Sequence, residues 1–231
     1  MLLEIIKSTV RGLASLAYEQ NCLGCGQDND SLCQDCAKRW TNEPSIIGGE
    51  IFLILAKVPY DDLAARIVLL AKESGVRSAK DLLANALAES TLALLLALGL
   101  SEGRVGLVPI PSSRRTQARR GEDFLLELTK MTSKKLISQA PMFDFQTSEI
   151  LKLKRHRRDQ SELSERERES NLSGAFAVNS KSQTPNYLLL LDDVITTGST
   201  LREAYRALKE RNLTVLGAVT ACASQRRLLI R

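Results

Sequence analysis

The sequence predicts an α/β fold, a parallel sheet flanked by helices, with a small cysteine-rich module in front of it. Three observations lead there. The run Tyr187-Leu188-Leu189-Leu190-Leu191 ends in two carboxylates and a Thr/Gly/Ser loop, after which an amphipathic helix opens. Short apolar segments alternate with helical periodicities through the rest of the chain, as in sheets whose parallel strands are joined by covering helices. Near the amino terminus, two Cys-x-x-Cys pairs stand close together.

The leucine run reads as a strand buried on both faces, because neither face carries a polar side chain. After the loop, Leu201, Ala204, Tyr205 and Leu208 recur at helical spacing and give one core-facing stripe. Strand, loop and helix together place the loop at the carboxyl edge of the sheet, where open α/β folds bind ligands. Thr196, Thr197, Gly198, Ser199 and Thr200 let the backbone curl so that N–H groups converge at the positive end of the helix. That arrangement suits a phosphate monoester. Asp192 and Asp193, just upstream, can accept hydrogen bonds from vicinal hydroxyls or hold a hydrated magnesium ion. Phosphate donors beside sugar-hydroxyl acceptors fit a ribose 5-phosphate. The plainer alternative is two solvated carboxylates ahead of a Ser/Thr-capped helix.

Cys22, Cys25, Cys33 and Cys36 form two knuckles separated by seven residues. Each knuckle can offer two thiolates, and four thiolates make the closed tetrahedral set of a structural zinc site, with no position open for water. A disulfide pair, a redox motif and an iron–sulfur centre are the alternatives. A cytoplasmic setting disfavours disulfides. Cys222 lies in an apolar run and reads as a buried bystander.

With 231 residues and 44% hydrophobic content, the chain suffices for one α/β domain and a small appendage. Residues 1–45 are expected to hold an amphipathic helix and the metal module, and 46–231 the α/β domain. Glu4, Lys7 and Arg11 interrupt the apolar residues of the first twenty, so no secretory signal is expected there. The most apolar stretch, Thr91 to Leu100, is too short for membrane insertion. Residues 41–49 read as a polar connector. Strands are expected over 51–58, 105–108 and 213–221. Helices are expected after an Asp61 N-cap, over 78–98 and over 122–138, followed by a charged region.

Arg114, Arg115, Arg119 and Arg120 follow Pro109-Ile110-Pro111 directly. A turn at a strand end with guanidinium forks suits a pyrophosphate clamp, and a solvated basic loop is the alternative. A second basic run, Lys152, Lys154, Arg155, His156, Arg157 and Arg158, could track a nucleic-acid backbone, although no aromatic residue accompanies it to stack bases. His156, the single histidine, reads as a surface residue within that run. Net charge is only +5, from 32 basic and 27 acidic residues, so attraction to an anionic partner would be local.

The segment from Leu189 to Thr200 closely resembles the loop of type I phosphoribosyltransferases that binds 5-phosphoribosyl 1-pyrophosphate (PRPP). The resemblance implies that Asp192 and Asp193 hold the ribose 2′ and 3′ hydroxyls, and that Thr196–Thr200 cradle the 5′-phosphate. It also implies Mg2+ bound with PRPP. Purine-salvage members carry an Asp where this chain has Thr196, and threonine cannot serve as a base near neutral pH. More broadly the chain resembles the ComF family, a four-cysteine zinc module ahead of a phosphoribosyltransferase-like domain. Val108-Pro109-Ile110-Pro111 with the arginines and Gly121 is similar to that family's Val-Pro-Val-Pro…Arg-x-x-x-Arg-Gly element. Gln160, Leu163, Arg168, Asn171, Gly174, Ala175 and Phe176 are similar to a second element, and Ala71-Lys72-Glu73-Ser74-Gly75 resembles its Lys-Tyr-x-Gly element. Glu122-Asp123-Phe124 departs from the family's Phe-Asn-Gln.

The resemblance implies a PRPP-binding pentosyltransferase that passes phosphoribosyl to a nitrogen nucleophile and releases pyrophosphate. It also offers a second role: a non-catalytic protein of DNA uptake (competence), with single-stranded DNA or competence proteins as partners.

Overall fold

Six strands in the order β1-β2-β8-β7-β3-β4 organise the chain. The computed structural model describes residues 21–28, 31–48, 51–112, 123–154, 174–179 and 185–224. A short helix α1 (Gln34–Ala37) and a tight turn Lys38–Trp40 lead to β1 (Ser45–Gly48) and β2 (Leu53–Pro59). Then come α2 (Asp62–Leu69), a π-helical turn Leu70–Ser74, α3 (Arg77–Ala97), β3 (Gly103–Pro109), α4 (Phe124–Gln139) and β4 (Phe143–Thr147). A small antiparallel pair, β5 (Leu151–Leu153) and β6 (Phe176–Val178), precedes β7 (Tyr187–Ile195), α5 (Ser199–Lys209) and β8 (Val215–Ala223).

All neighbours in the large sheet run parallel except β1, which is antiparallel to β2. The fold is therefore α/β, with a mostly parallel sheet flanked by helices. Leu188–Leu191 are fully buried, so both faces of β7 are covered, as an all-leucine run demands. α3 and α4 pack together and lie against β2, β8, β3 and β4, while α5 packs against β7, β8 and the small β6 strand.

Local chemistry explains the helix boundaries. Asp61 caps α2 by accepting from the Ala64 N–H at 3.0 Å, and Asp123 caps α4 by accepting from the Leu126 N–H at 3.4 Å. Asp123 thus uses the position where the ComF pattern departs as a helix start. α2 does not end cleanly but widens into the π turn, closed by Gly75 at φ 71°, a conformation that costs glycine little.

Residues 41–49, expected to be a connector, instead contribute the edge strand β1, with Ile47 buried and Ile46 exposed. Ile46 pairs with Leu55 of β2, and the register shifts between Ile46 and Gly48, so Ile47 sits at an irregularity of the edge strand. β4 and the β5–β6 pair also lie where no strand was expected. No described helix is long and apolar enough to cross a membrane. The expected helix over the first twenty residues lies outside the described residues.

Candidate functional site

The carboxyl edge of β7 carries the acidic pair. The apolar run alone predicts a strand ending at Leu191, but pairing with β8 continues to Ile195, so both aspartates are in-strand and point to opposite faces. Asp193 shares a face with Leu189 and Leu191. Leu189 pairs with Gly217, where an added Cβ would lie 2.9 Å from Leu94 of α3, so that face is the α3 side. Asp192 faces the other way, in register with Thr220.

Opposite faces give the two carboxylates different surroundings. Asp193 is buried, and Lys72 from the π turn donates to its Oδ2 at 2.6 Å. Asp192 accepts from the Asp193 backbone N–H at 2.9 Å. The residue is only half-buried, yet desolvation of its carboxyl pushes its pKa well above the usual carboxylate range. The Asp193 charge and the hydrogen bond with Asp193 add to the rise, and Lys72 partly opposes it. One carboxylate is thus paired with a cation while its neighbour retains a proton more readily.

The loop beyond turns on Gly198, at φ 74°, which serves as the N-cap of α5. A left-handed residue here lets the chain reverse directly into the helix. Thr197 Oγ1 lies 2.8 Å from Ser199 Oγ and accepts weakly from the Ser199 N–H at 3.4 Å. Arg202 donates to the Thr197 carbonyl at 3.1 Å, and Ser224 donates to the Thr196 carbonyl at 3.3 Å. These bonds hold the loop, which runs directly into the first turn of α5, where N–H groups lack intrahelical partners.

β3 supplies the adjoining wall. Pro109 is in register with Leu191, and the Ile110 N–H donates to the Leu191 carbonyl at 3.0 Å. Pro109 and Ile110 therefore stand beside Asp192 at the same sheet edge. Arg114, Arg115, Arg119 and Arg120 lie outside the described residues, as do His156 and most of the second basic run. Lys152 and Lys154, its described members, are exposed on and just after β5.

The four cysteines come together as their spacing requires. Their sulfurs lie within 4.8 Å of one another, and Cys25 and Cys33 sulfurs are 3.8 Å apart. Tetrahedral zinc with Zn–S near 2.3 Å needs S···S edges of about 3.8 Å. The cluster fits a metal such as zinc. Gly24 is required by close approach: a Cβ there would meet Cys36 Sγ at 2.8 Å. Burial raises the Cys22 thiol, but N–H groups of Cys33, Cys25 and Gly24 outweigh it and bring the pKa down to about 6. Burial and the neighbouring sulfurs push Cys36 up to about 12. Cys222 is fully buried, and burial raises its pKa.

Residues 133–229 match the phosphoribosyl transferase domain model. The match takes in β7, the acidic pair and the Thr196–Thr200 loop, and covers less than half of the 231 residues. It leaves Lys72, Pro109, Ile110 and the four clustered cysteines outside. Among solved structures, the chain is similar to a hypoxanthine phosphoribosyltransferase from Staphylococcus aureus, at 16% identity and a TM-score of 0.33. That likeness covers 64% of this chain and 66% of the other, just under two thirds of its length. No curated protein matches the chain.

Sequence reasoning does not single out Lys72 as a site residue. Its one signal is the Lys-Tyr-x-Gly-like element, in which Gly75 closes the turn that carries the lysine to Asp193.

Proposed function

We propose that this protein binds PRPP at the carboxyl edge of β7 and acts as a phosphoribosyltransferase-like protein of the ComF type. Residues 1–45 form the metal module and 46–231 the transferase-like domain, in a cytoplasmic setting. The observation that carries the reading is the single sequence of in-strand acidic pair, left-handed Gly198 turn and α5 amino terminus at that edge. The loop Thr196–Thr200 offers N–H and hydroxyl donors to a 5′-phosphate. Asp192 and Asp193 accept from the ribose hydroxyls and orient the ring, and their charge favours a developing oxocarbenium ion at the anomeric carbon. Pro109 and Ile110 line the edge where the pyrophosphate would leave, and the charge of Arg114, Arg115, Arg119 and Arg120, which follow them in sequence, suits that anion.

Carboxylates at a sheet edge suit a magnesium ion, which when bound would neutralise diphosphate charge. Zinc held by Cys22, Cys25, Cys33 and Cys36 has a structural role, since four thiolates leave no position for substrate. Thr196 disfavours a purine acceptor, because no carboxylate stands there to take the ring proton. The acceptor is a nitrogen nucleophile of another class.

The test is calorimetric titration of magnesium-PRPP into the purified, zinc-loaded protein, beside the double variant Asp192→Ala/Asp193→Ala. Saturable binding by the wild type that the folded double variant loses is the expected result. A folded wild type that binds no PRPP would sink the transferase reading. It would favour the nucleic-acid role, for which exposed Lys152 and Lys154 are the described anchor points.

A further inference from the structure

We infer that Lys72 is a further ligand-binding residue of this site, its ammonium taking a diphosphate oxygen of the bound sugar phosphate. The inference rests on the ribose-phosphate reading above and extends it to a residue on a different element. Lys72 sits on the π turn between α2 and α3, 121 residues from Asp193 in sequence, yet its Nζ is 2.6 Å from Asp193 Oδ2. The same Nζ lies 5.7 Å from the ring centroid of Phe124, the first residue of α4. The lysine therefore bridges the acidic pair to the start of α4, which directly follows the arginine-bearing stretch.

Furanose geometry says what belongs there. In a ribose 5-phosphate carrying a diphosphate on C1, the two phosphate groups leave from opposite ends of the ring, with the 2′ and 3′ hydroxyl edge between them. With the 5′-phosphate at the amino terminus of α5 and the hydroxyls on the aspartates, the C1 substituent projects away from α5. β3 and the start of α4 stand on that side, and Lys72 is the described cation in contact with both the acidic pair and α4. An ammonium has three donors in free rotation, so it can keep Asp193 and still reach a phosphate oxygen.

A purely structural ion pair fits less well. The Lys72 side chain is 28% exposed against 9% for Asp193, so the cation opens toward solvent while its carboxylate does not. It is held by a π turn, a distortion that often occurs at functional sites.

The experiment compares two ligands on three proteins. Wild type, Lys72→Met and Lys72→Arg are titrated with magnesium-PRPP and with ribose 5-phosphate, which has the sugar and 5′-phosphate but no diphosphate. Lys72→Met should weaken PRPP binding about tenfold or more, the worth of one charge-assisted hydrogen bond, and change ribose 5-phosphate affinity less than about threefold. Lys72→Arg should keep PRPP affinity within about threefold of wild type. Thermal melting of each variant checks folding, and Lys72→Gln replaces Lys72→Met if the latter does not fold. Equal losses for both ligands would mean that Lys72 acts only by holding Asp193, and would overturn the inference. So would unchanged PRPP affinity. A wild type that binds neither ligand would overturn the site reading itself, an outcome distinct from either.

Discussion

Two adjacent aspartates in one strand are chemically unequal because the strand alternates its side chains. Asp193 faces α3 and meets Lys72, whereas Asp192 faces the other side, where desolvation and the neighbouring charge hold its proton. The consequence for stability has a definite sign. A carboxyl whose folded pKa lies above its unfolded value of about 3.9 makes the folded state bind more protons, so stability falls as pH rises through that interval. Asp192→Asn keeps an oxygen able to accept from the Asp193 N–H but removes the charge. Melting temperatures of the variant and the wild type should therefore agree near pH 4 and diverge as pH rises, with the variant more stable at pH 7–8. A wild type that stays level with the variant across this range would show that Asp192 ionises without cost. On the proposed PRPP reading, binding should move the opposite way, since the variant would lose an acceptor for a ribose hydroxyl.

At the scale of elements, the cysteine module is attached to α2 and the core rather than appended loosely. Leu23 is fully buried and Trp40 is 7% exposed, both within the main core, while Gly24 approaches Leu63 and Gly26 approaches Arg66 on α2. Arg39 also pairs with Asp61, the N-cap of α2. Removing the metal should free these anchors, and two large apolar side chains are worth about 1.5–3 kcal/mol each when buried. Chelator treatment, or Cys36→Ser, should lower the melting temperature by about 6–24 °C, and zinc should restore the chelated wild type. An unchanged melting curve after verified metal removal would assign the module no share in stability. The cysteine spacing was legible in sequence because ligand geometry is local. So were α3 and the β7–α5 unit, whose periodicities are long. β1, β4 and the β5–β6 pair were not, because strands of three to five residues carry too little alternation to outweigh flanking turn residues. Lys72 was illegible as a site residue for a different reason: its partner is 121 residues away, and only the sheet order brings them together.

For the whole molecule, β8 is the strand on which the architecture turns, since it joins β2 to β7 and so ties the metal-module half to the site. Its register with β7 slips between Leu188 and Leu189, which pair with Val215 and Gly217. Glycine often marks such irregularities in strands. A Cβ at Gly217 would lie 2.4 Å from the Leu53 carbonyl oxygen and 2.9 Å from Leu94 Cδ1. The leucine could rotate away, but the oxygen belongs to the backbone of the paired strand, so relief requires β2 and β8 to part. Gly106 on β3 makes the contrast, because its added Cβ would meet only side-chain atoms of Leu188 and Pro185, each at 2.9 Å. Overpacking of the first kind costs about 3 kcal/mol, which for a chain of this size lowers the melting temperature by about 6–12 °C. Gly217→Ala should show that fall, and Gly106→Ala a smaller one. The expected signature of Gly217→Ala in calorimetry is lost stability with PRPP affinity retained at temperatures where the variant is folded, because Asp192 lies three residues further along the β7–β8 ladder than the strained pair. Equal melting temperatures for the two variants would mean that β8 can shift against β2 without cost, and that the central ladder does not set the stability of the sheet.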